Sequence, residues 1–373
     1  MPSAIVVGAG IFGSCLALRL ARSGWEVTLV DKYPPGHVRA ASGDESRLLR
    51  FSHGDATWYT RSARRALELW RELEAESGER LFEQTGVAWF ARTEDGWEAE
   101  SERVLGDEKI LVERLDPEAG NELFPSFDPR GLSFILLEPE AGILRARDAV
   151  HAVVRLAVRD GMRHVAGTAR PLGEGVEVDG ETLRADRVVW ACGAWLAGLF
   201  PGLVSLRVTK QDVLYFGAPA DWQTPPVPGW VEYDSAFYGL GDLDGRGVKA
   251  SPDNEGPEFD PDGDARVLSP TSDARTRWYL SSRFPALADA PLVGSRTCPY
   301  ALTADTNFIV APHPEHERVW ILGGGSGHGF KHGPALAEYV TARLEGEEPP
   351  DPKFGLGPRE GTSKLRTAGA HAR

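Results

Sequence analysis

Two rhythms of apolar and polar positions run along this chain. Short unbroken apolar runs, "AIVV" at 4–7, "VTLV" at 27–30, "VVW" at 188–190 and "VWIL" at 319–322, read as buried strands. Stretches with an apolar position every three or four residues read as amphipathic helices. "SCLALRLARSG" follows the first strand after a glycine turn, 58–78 turns Leu67, Leu69, Trp70 and Leu73 toward a core, and 146–161 repeats the pattern. Residues 175–193 predict a hairpin feeding a buried strand, and 318–344 predict a strand, a glycine loop and a helix. Between these units, 84–139 and 213–293 change character. Their β-type runs, aromatics, prolines and acidic turns predict a second domain inserted in two pieces. From about residue 347 the chain turns polar and rich in Pro and Gly, as a partly ordered tail does.

At 373 residues the chain has room for two domains of roughly 150 residues each. Its 41 basic and 55 acidic residues leave a net charge of −14, which argues against a nucleic-acid binder or a cationic membrane-surface protein. Cations are scarce enough for any cluster of them to be informative. Cys15, Cys192 and Cys298 are odd in number, widely spaced and form no CxxC. Neither a disulfide framework nor a metal site is expected, and a reducing, cytoplasmic compartment is. The opening "MPSAIVVGAG" has no basic leader region and runs straight into a structural motif. The uncharged run 188–206 has the length of a membrane span, but Gly193, Gly198, Pro201 and Gly202 break it into a buried strand, a turn and a short helix.

Gly8, Gly10 and Gly13 form G-x-G-x-x-G between the first strand and the first helix. The first glycine permits the tight turn, the second lets a pyrophosphate reach the backbone, and the third lets helix and strand pack closely. The pyrophosphate then sits at the positive end of the helix. Asp31, placed 23 residues after Gly8, suits ribose hydroxyls and disfavours a 2′-phosphate. Dinucleotide binding follows, although these residues do not separate NAD from FAD. A second loop, "GGGSGHGFKHG" at 323–333, opens the late helix and could stabilise negative charge on a reduced flavin; taken alone it could equally be a tight turn. Arg47 and Arg50 stand three apart in "GDESRLLRF", which by itself also fits a solvated helix face. Cys298, directly before Pro299 and Tyr300, leaves three readings open: a buried thiol, a metal ligand or a nucleophile.

With the N-terminal fingerprint, "SRLLR" (46–50), "ACGAW" (191–195), "CPY" (298–300) and "SGHGFK" (326–331) in this order, the chain resembles the monomeric sarcosine oxidase and N-methyltryptophan oxidase family of FAD-dependent amine oxidases, within the D-amino-acid-oxidase-like superfamily. The resemblance spans nearly the whole chain and fails only in the tail. It implies that Cys298 anchors FAD covalently through the 8α-methyl of the flavin, a role for which a thiolate is a suitable nucleophile. It implies that Gly193, Gly325, Gly327, Gly329 and Lys331 also border the cofactor and that Arg47 lies beside the flavin ring. Arg50 and Lys331 are implied to grip a substrate carboxylate, and Lys249 to promote the reaction of reduced flavin with oxygen. Without the resemblance Lys249 reads as a surface lysine. Tyr300 and Tyr238 are implied to be active-site aromatics, although core packing would serve Tyr238 as well. Two departures stand out. The histidine common in the family ahead of the arginine motif is replaced by Gly43 or Ser42, and the one four residues after the lysine is Asp253. That acid could meet a positive or hydroxylated substrate group, or belong to an acidic loop.

The expected fold class is therefore α/β. A Rossmann-type FAD-binding domain is expected from 1–83, 140–212 and 294–346, with an inserted α+β substrate domain on a mostly antiparallel sheet from 84–139 and 213–293, and a tail from 347–373. The expected reaction is oxidation of a secondary or cyclic amino acid to an imine, with O2 reduced to H2O2, by a monomer that binds neither nucleic acid nor membrane. Three alternatives are a dehydrogenase using another acceptor, a tailoring oxidase of a cyclic imino acid, and a non-catalytic FAD-binding subunit.

Overall fold

The computed structural model describes residues 1–254 and 256–361. Six strands form the first sheet, in the order Ile309–Pro312, Val319–Gly323, Arg187–Trp190, Ser3–Val7, Glu26–Asp31 and Arg163–Ala166. Neighbours run parallel except the first pair. Strands covered on both faces must be apolar throughout, which is why Val6, Leu29, Val188 and Val189 are all inaccessible to solvent. On one face the helices Ile11–Arg22, Ala146–Arg159 and Gly333–Glu345 pack together, with Thr57–Ser77 against the last of them. On the other, an antiparallel meander of Ala169–Leu172, Gly175–Val178 and Glu181–Leu183 shares a core with Val7, Trp190 and Ile321. This is the doubly covered Rossmann-type layer expected of the fingerprint.

The second sheet has eight strands, ordered Leu292–Leu302, Arg207–Phe216, Val248–Pro252, Phe237–Leu240, Gly229–Glu232, Val87–Ala91, Phe134–Glu138 and Glu113–Leu115. It is antiparallel except where Gly229–Glu232 meets Val87–Ala91. Period-two alternation divides its side chains between two cores. Trp89 and Leu136 join the core of the fingerprint helix. Phe90 and Ile135 face Trp230 and Phe284 on the side where the helix Pro270–Arg283 contributes Tyr279 and Leu280. The breaks expected at 212/213 and 293/294 fall inside strands. Arg207–Phe216 and Leu292–Leu302 pair at ten positions across those points. Backbone groups of a long strand are satisfied by continuing its ladder, so residues 207–212 and 294–302 stand in the eight-stranded sheet. Arg47 lies on no helix face but on the strand Ser46–Leu49, with Arg50 just after it.

Among the described residues no helix is long and apolar enough to cross a membrane. Residues 187–199 form the strand Arg187–Trp190, a turn and the short helix Leu196–Leu199. The described part of the tail is tied down: Phe354 is 1% exposed, its ring 4.8 Å from that of Trp58. Residues 362–373 of the expected tail lie outside the described residues.

Glu98, in the first turn of the helix Trp97–Asp107, is buried with Oε1 unpartnered. Burial, aided by the nearby carboxylates Asp234 and Glu232, pushes its carboxyl up to about 8. A folded-state value above the unfolded one means stability that is present at low pH and is lost as pH rises through about 8. Thermal midpoints measured from pH 6 to 9 should therefore fall more steeply for the wild type than for Glu98→Gln. Parallel curves would contradict this.

Candidate active site

The strand Ser3–Val7 delivers Gly8 into the turn at φ +108°, a conformation that favours glycine. A Cβ on Gly8 would stand 2.5 Å from the Ala191 carbonyl oxygen, and one on Gly13 would stand 1.9 Å from that of Gly8. No side chain fits at either place, and the helix Ile11–Arg22 is thereby brought hard against the sheet. A Cβ on Gly10 would make only an ordinary contact, 3.5 Å from Ser42 Oγ, and Gly10 borders a cavity of about 330 Å³. Asp31, at the end of Glu26–Asp31, accepts from the N–H groups of Ala9 (2.5 Å) and Tyr33 (2.7 Å). Burial raises its carboxyl and these hydrogen bonds partly counter it. The same cavity is lined by Gly8, Gly10, Asp31, Arg47, Gly193, Cys298, Gly325, Gly327 and Gly329. Gly13 lies behind it, and Lys331 belongs to the adjoining pocket.

Cys298, on the strand Leu292–Leu302, is buried at one wall of this cavity. Its Sγ lies 3.4 Å from Arg47 Nη2. Arg47 is held by the carbonyls of Ala41 (2.6 Å) and Ser46 (2.7 Å) and by Asp44 Oδ2 (2.6 Å). Burial raises the Cys298 thiol above its ordinary value, with the charges of Arg47 and Lys249 opposing. Lys249 is no surface residue. It is 0% exposed on Val248–Pro252 and donates to Asp44 Oδ2 (2.6 Å) and the Ser46 carbonyl (3.0 Å). Burial pulls its ammonium below the usual lysine range against the support of Asp44. For Asp44 the balance goes the other way: burial would raise it, but Lys249, Arg47 and the Tyr215 hydroxyl together hold it well below the usual carboxylate range.

A smaller pocket of about 60 Å³ shares Arg47, Cys298, Tyr300, Gly327 and Phe330 with the large one and is completed by Arg50, Tyr238, Asp253, His328 and Lys331 among others. Arg50 lies over the Trp89 ring, 4.9 Å from its centroid. Lys331, in the turn Phe330–His332, donates to the His328 carbonyl at 3.0 Å. Burial lowers both cations, while Glu138 and Asp253 support both. Asp253 accepts from the Tyr300 hydroxyl at 2.8 Å and lines this pocket rather than sitting apart in an acidic loop. Three cations, Arg47, Arg50 and Lys331, and the Asp253 carboxylate thus border one small volume.

Reading the sequence passed over three features. Asp44 sits one residue after the glycine noted for its missing histidine, and three before Arg47; an acid inside a cationic motif was the available signal. Glu138, fully buried at the end of Phe134–Glu138, accepts from the Phe51 and Ser52 N–H groups (2.5 and 3.1 Å) and from Trp89 Nε1 (2.7 Å), fixing the chain just after Arg50. Its signal was a charge closing an apolar run. His53, His328 and His332 cluster with their ring nitrogens within 4.8 Å of one another. The cations Lys331 and Arg50 depress His53 in addition to burial, a setting that opposes a metal cation. At position 43 a Cβ would lie 1.9 Å from the His37 carbonyl oxygen, so no side chain fits there.

The profile of the FAD dependent oxidoreductase family matches residues 3–343. The chain is 29% identical over 353 residues to the monomeric sarcosine oxidase of Bacillus sp. (strain B-0618), covering 90% of each chain. It is 25% identical over 365 residues to the N-methyl-L-tryptophan oxidase of Yersinia pestis (strain Pestoides F), covering 93% of this chain and 95% of that one. In fold it is similar to the modified fructosyl peptide oxidase of Aspergillus nidulans, with a TM-score of 0.85, 22% identity, and 99% and 96% of the two chains covered.

Proposed function

The chain belongs to the FAD dependent oxidoreductase family, and from that premise we propose that it oxidises a secondary or cyclic amino acid to an imine, with O2 as electron acceptor and Cys298 as covalent anchor of the flavin. The residues present fit FAD. The crowded Gly8 and Gly13, with Gly10 on the cavity wall, form a cradle for a pyrophosphate at the helix N-terminus, and Asp31 lines the same cavity for a ribose. FAD held there would supply the acceptor for a hydride from the carbon beside the amine, and with O2 taking up the two electrons and two protons the products would be H2O2 and an imine that water can hydrolyse.

One observation carries the reading: Arg50 and Lys331 are buried together on a small pocket that opens onto the cofactor cavity beside Cys298. Two desolvated cations suit a carboxylate: burial disfavours their charge, Glu138 and Asp253 oppose that, and an arriving carboxylate adds to the opposition. The carboxylate then orients the amine-bearing carbon toward the flavin, which is the positioning work this chemistry requires. Asp253 with Tyr300 offers a second polar anchor for the amine or a hydroxyl on its substituent. To Lys249, which shares the Asp44 carboxylate with the cavity-lining Arg47, we assign the stabilisation of charge developing on oxygen.

Anaerobic flavin absorbance, titrated with sarcosine, N-methyltryptophan, proline, pipecolate and a fructosyl amino acid, tests this directly. Bleaching by one of them, reversed by air with peroxide released, is the expected result. If dithionite bleaches the flavin and no amine does, the reading fails. Lys331→Met should weaken the effective amino acid roughly 10- to 100-fold, as loss of a charged hydrogen bond does. The same amine without its carboxylate should be much less affected by that substitution.

A further inference from the structure

We propose that Asp44 is a positioning residue whose single carboxylate holds Lys249 and Arg47, and through Lys249 governs the reduction of oxygen. The inference rests on the role proposed above for Lys249. Oδ2 of Asp44 accepts from both Lys249 Nζ and Arg47 Nη1, each at 2.6 Å, and Oδ1 accepts from the Tyr215 hydroxyl at 2.7 Å. Three donors converge on a side chain that is only 4% exposed.

Lys249 depends on this arrangement. Its other partners, the Ser46 carbonyl (3.0 Å) and Ser46 Oγ (3.4 Å), are neutral. The rings of Tyr215 and Tyr238 lie 6.0 and 5.7 Å from its nitrogen. Arg47 and Cys298 also act on Nζ, and the arginine repels it. Among the described residues, Asp44 is the carboxylate that pairs with Lys249. A buried ammonium without such a partner gives up its proton. A neutral amine cannot stabilise the negative charge that oxygen gains as it takes two electrons and two protons to become H2O2. Asp44 itself stays ionised and exchanges nothing. Because its other cation touches Cys298 Sγ, one carboxylate sets both the oxygen-side lysine and the arginine beside the anchoring thiol.

The experiment uses FAD-loaded wild type, Asp44→Asn, Lys249→Met and the double variant, each reduced anaerobically with dithionite so that no substrate need be known. On mixing with oxygen, Asp44→Asn should reoxidise at least 10-fold more slowly than wild type. The deficit should widen as pH rises from 6 to 9, because the unsupported ammonium loses its proton. The double variant should be no slower than Lys249→Met alone. Reoxidation of Asp44→Asn at the wild-type rate across this range, or multiplicative slowing in the double variant, overturns the proposal.

Thermal unfolding of the same four FAD-loaded proteins gives a readout independent of turnover. Asp44→Asn takes the shared carboxylate from two buried cations and should lower the midpoint more than Lys249→Met, which leaves Asp44 paired with Arg47, and the double should lose less than the sum of the two. If Asp44→Asn does not fold, Tyr215→Phe removes one donor from the same carboxylate. It should slow reoxidation several-fold with the same pH trend, and a wild-type profile there also overturns the proposal. Should Lys249→Met reoxidise normally, the oxygen role of Lys249 fails, while the unfolding cycle still reports whether Asp44 and Lys249 act as a pair.

Discussion

Purified wild-type protein will carry flavin fluorescence at the mass of the chain on a denaturing gel, and Cys298→Ser will carry none. Cys298 borders the large cavity where the small pocket opens into it, within 3.4 Å of the Arg47 guanidinium. Burial alone would keep such a thiol protonated and inert. The fixed positive charge of Arg47, with Lys249 behind it, favours the thiolate that must attack. Forming the bond would replace S–H and C–H by S–C, releasing two protons and two electrons that O2 would take up as H2O2. Arg47→Ala should therefore slow attachment without abolishing non-covalent binding, followed as the fraction of flavin that resists acid precipitation. Release of all flavin from the wild type by acid would falsify the anchor.

The second large effect is expected at Lys249. Its replacement by Met should leave anaerobic bleaching by substrate largely intact and slow reoxidation by O2 by about 10²- to 10³-fold, the range typical of removing one preorganised electrostatic contact from a buried site. The two half-reactions separate because Lys249 hydrogen-bonds Asp44 and Ser46 rather than Arg50 or Lys331, and so stands apart from the carboxylate-binding pair. Stopped-flow absorbance measures both rates on one sample. Equal losses in reduction and reoxidation would show that Lys249 shapes the whole site. An unchanged oxygen reaction would favour an acceptor other than O2.

Much of this architecture was legible along the chain. The glycine spacing, the apolar runs and the acid at 31 require a strand–turn–helix–strand unit, because only glycine tolerates the approach at Gly8 and Gly13 and only apolar residues can fill a sheet covered on both faces. The motifs around Arg47, Cys298 and Lys331 pointed to residues that the fold does bring to adjoining cavities.

What the chain alone determined was therefore local: which segments become strands and helices, where a pyrophosphate fits, and which side chains can carry charge or a nucleophile. Such features follow from periodicity, from backbone stereochemistry and from residue type. The tertiary structure decided what each charge meets. Lys249 turned from a surface residue into a fully buried one because Asp44, 205 positions earlier, supplies the opposing charge. Asp253 became part of a pocket because Tyr300 on a distant strand donates to it. Glu138 came to brace the backbone after Arg50 across 87 residues. The ionisation of a buried group depends on desolvation and on partners within a few ångströms, and such partners are set by strand pairing between remote segments.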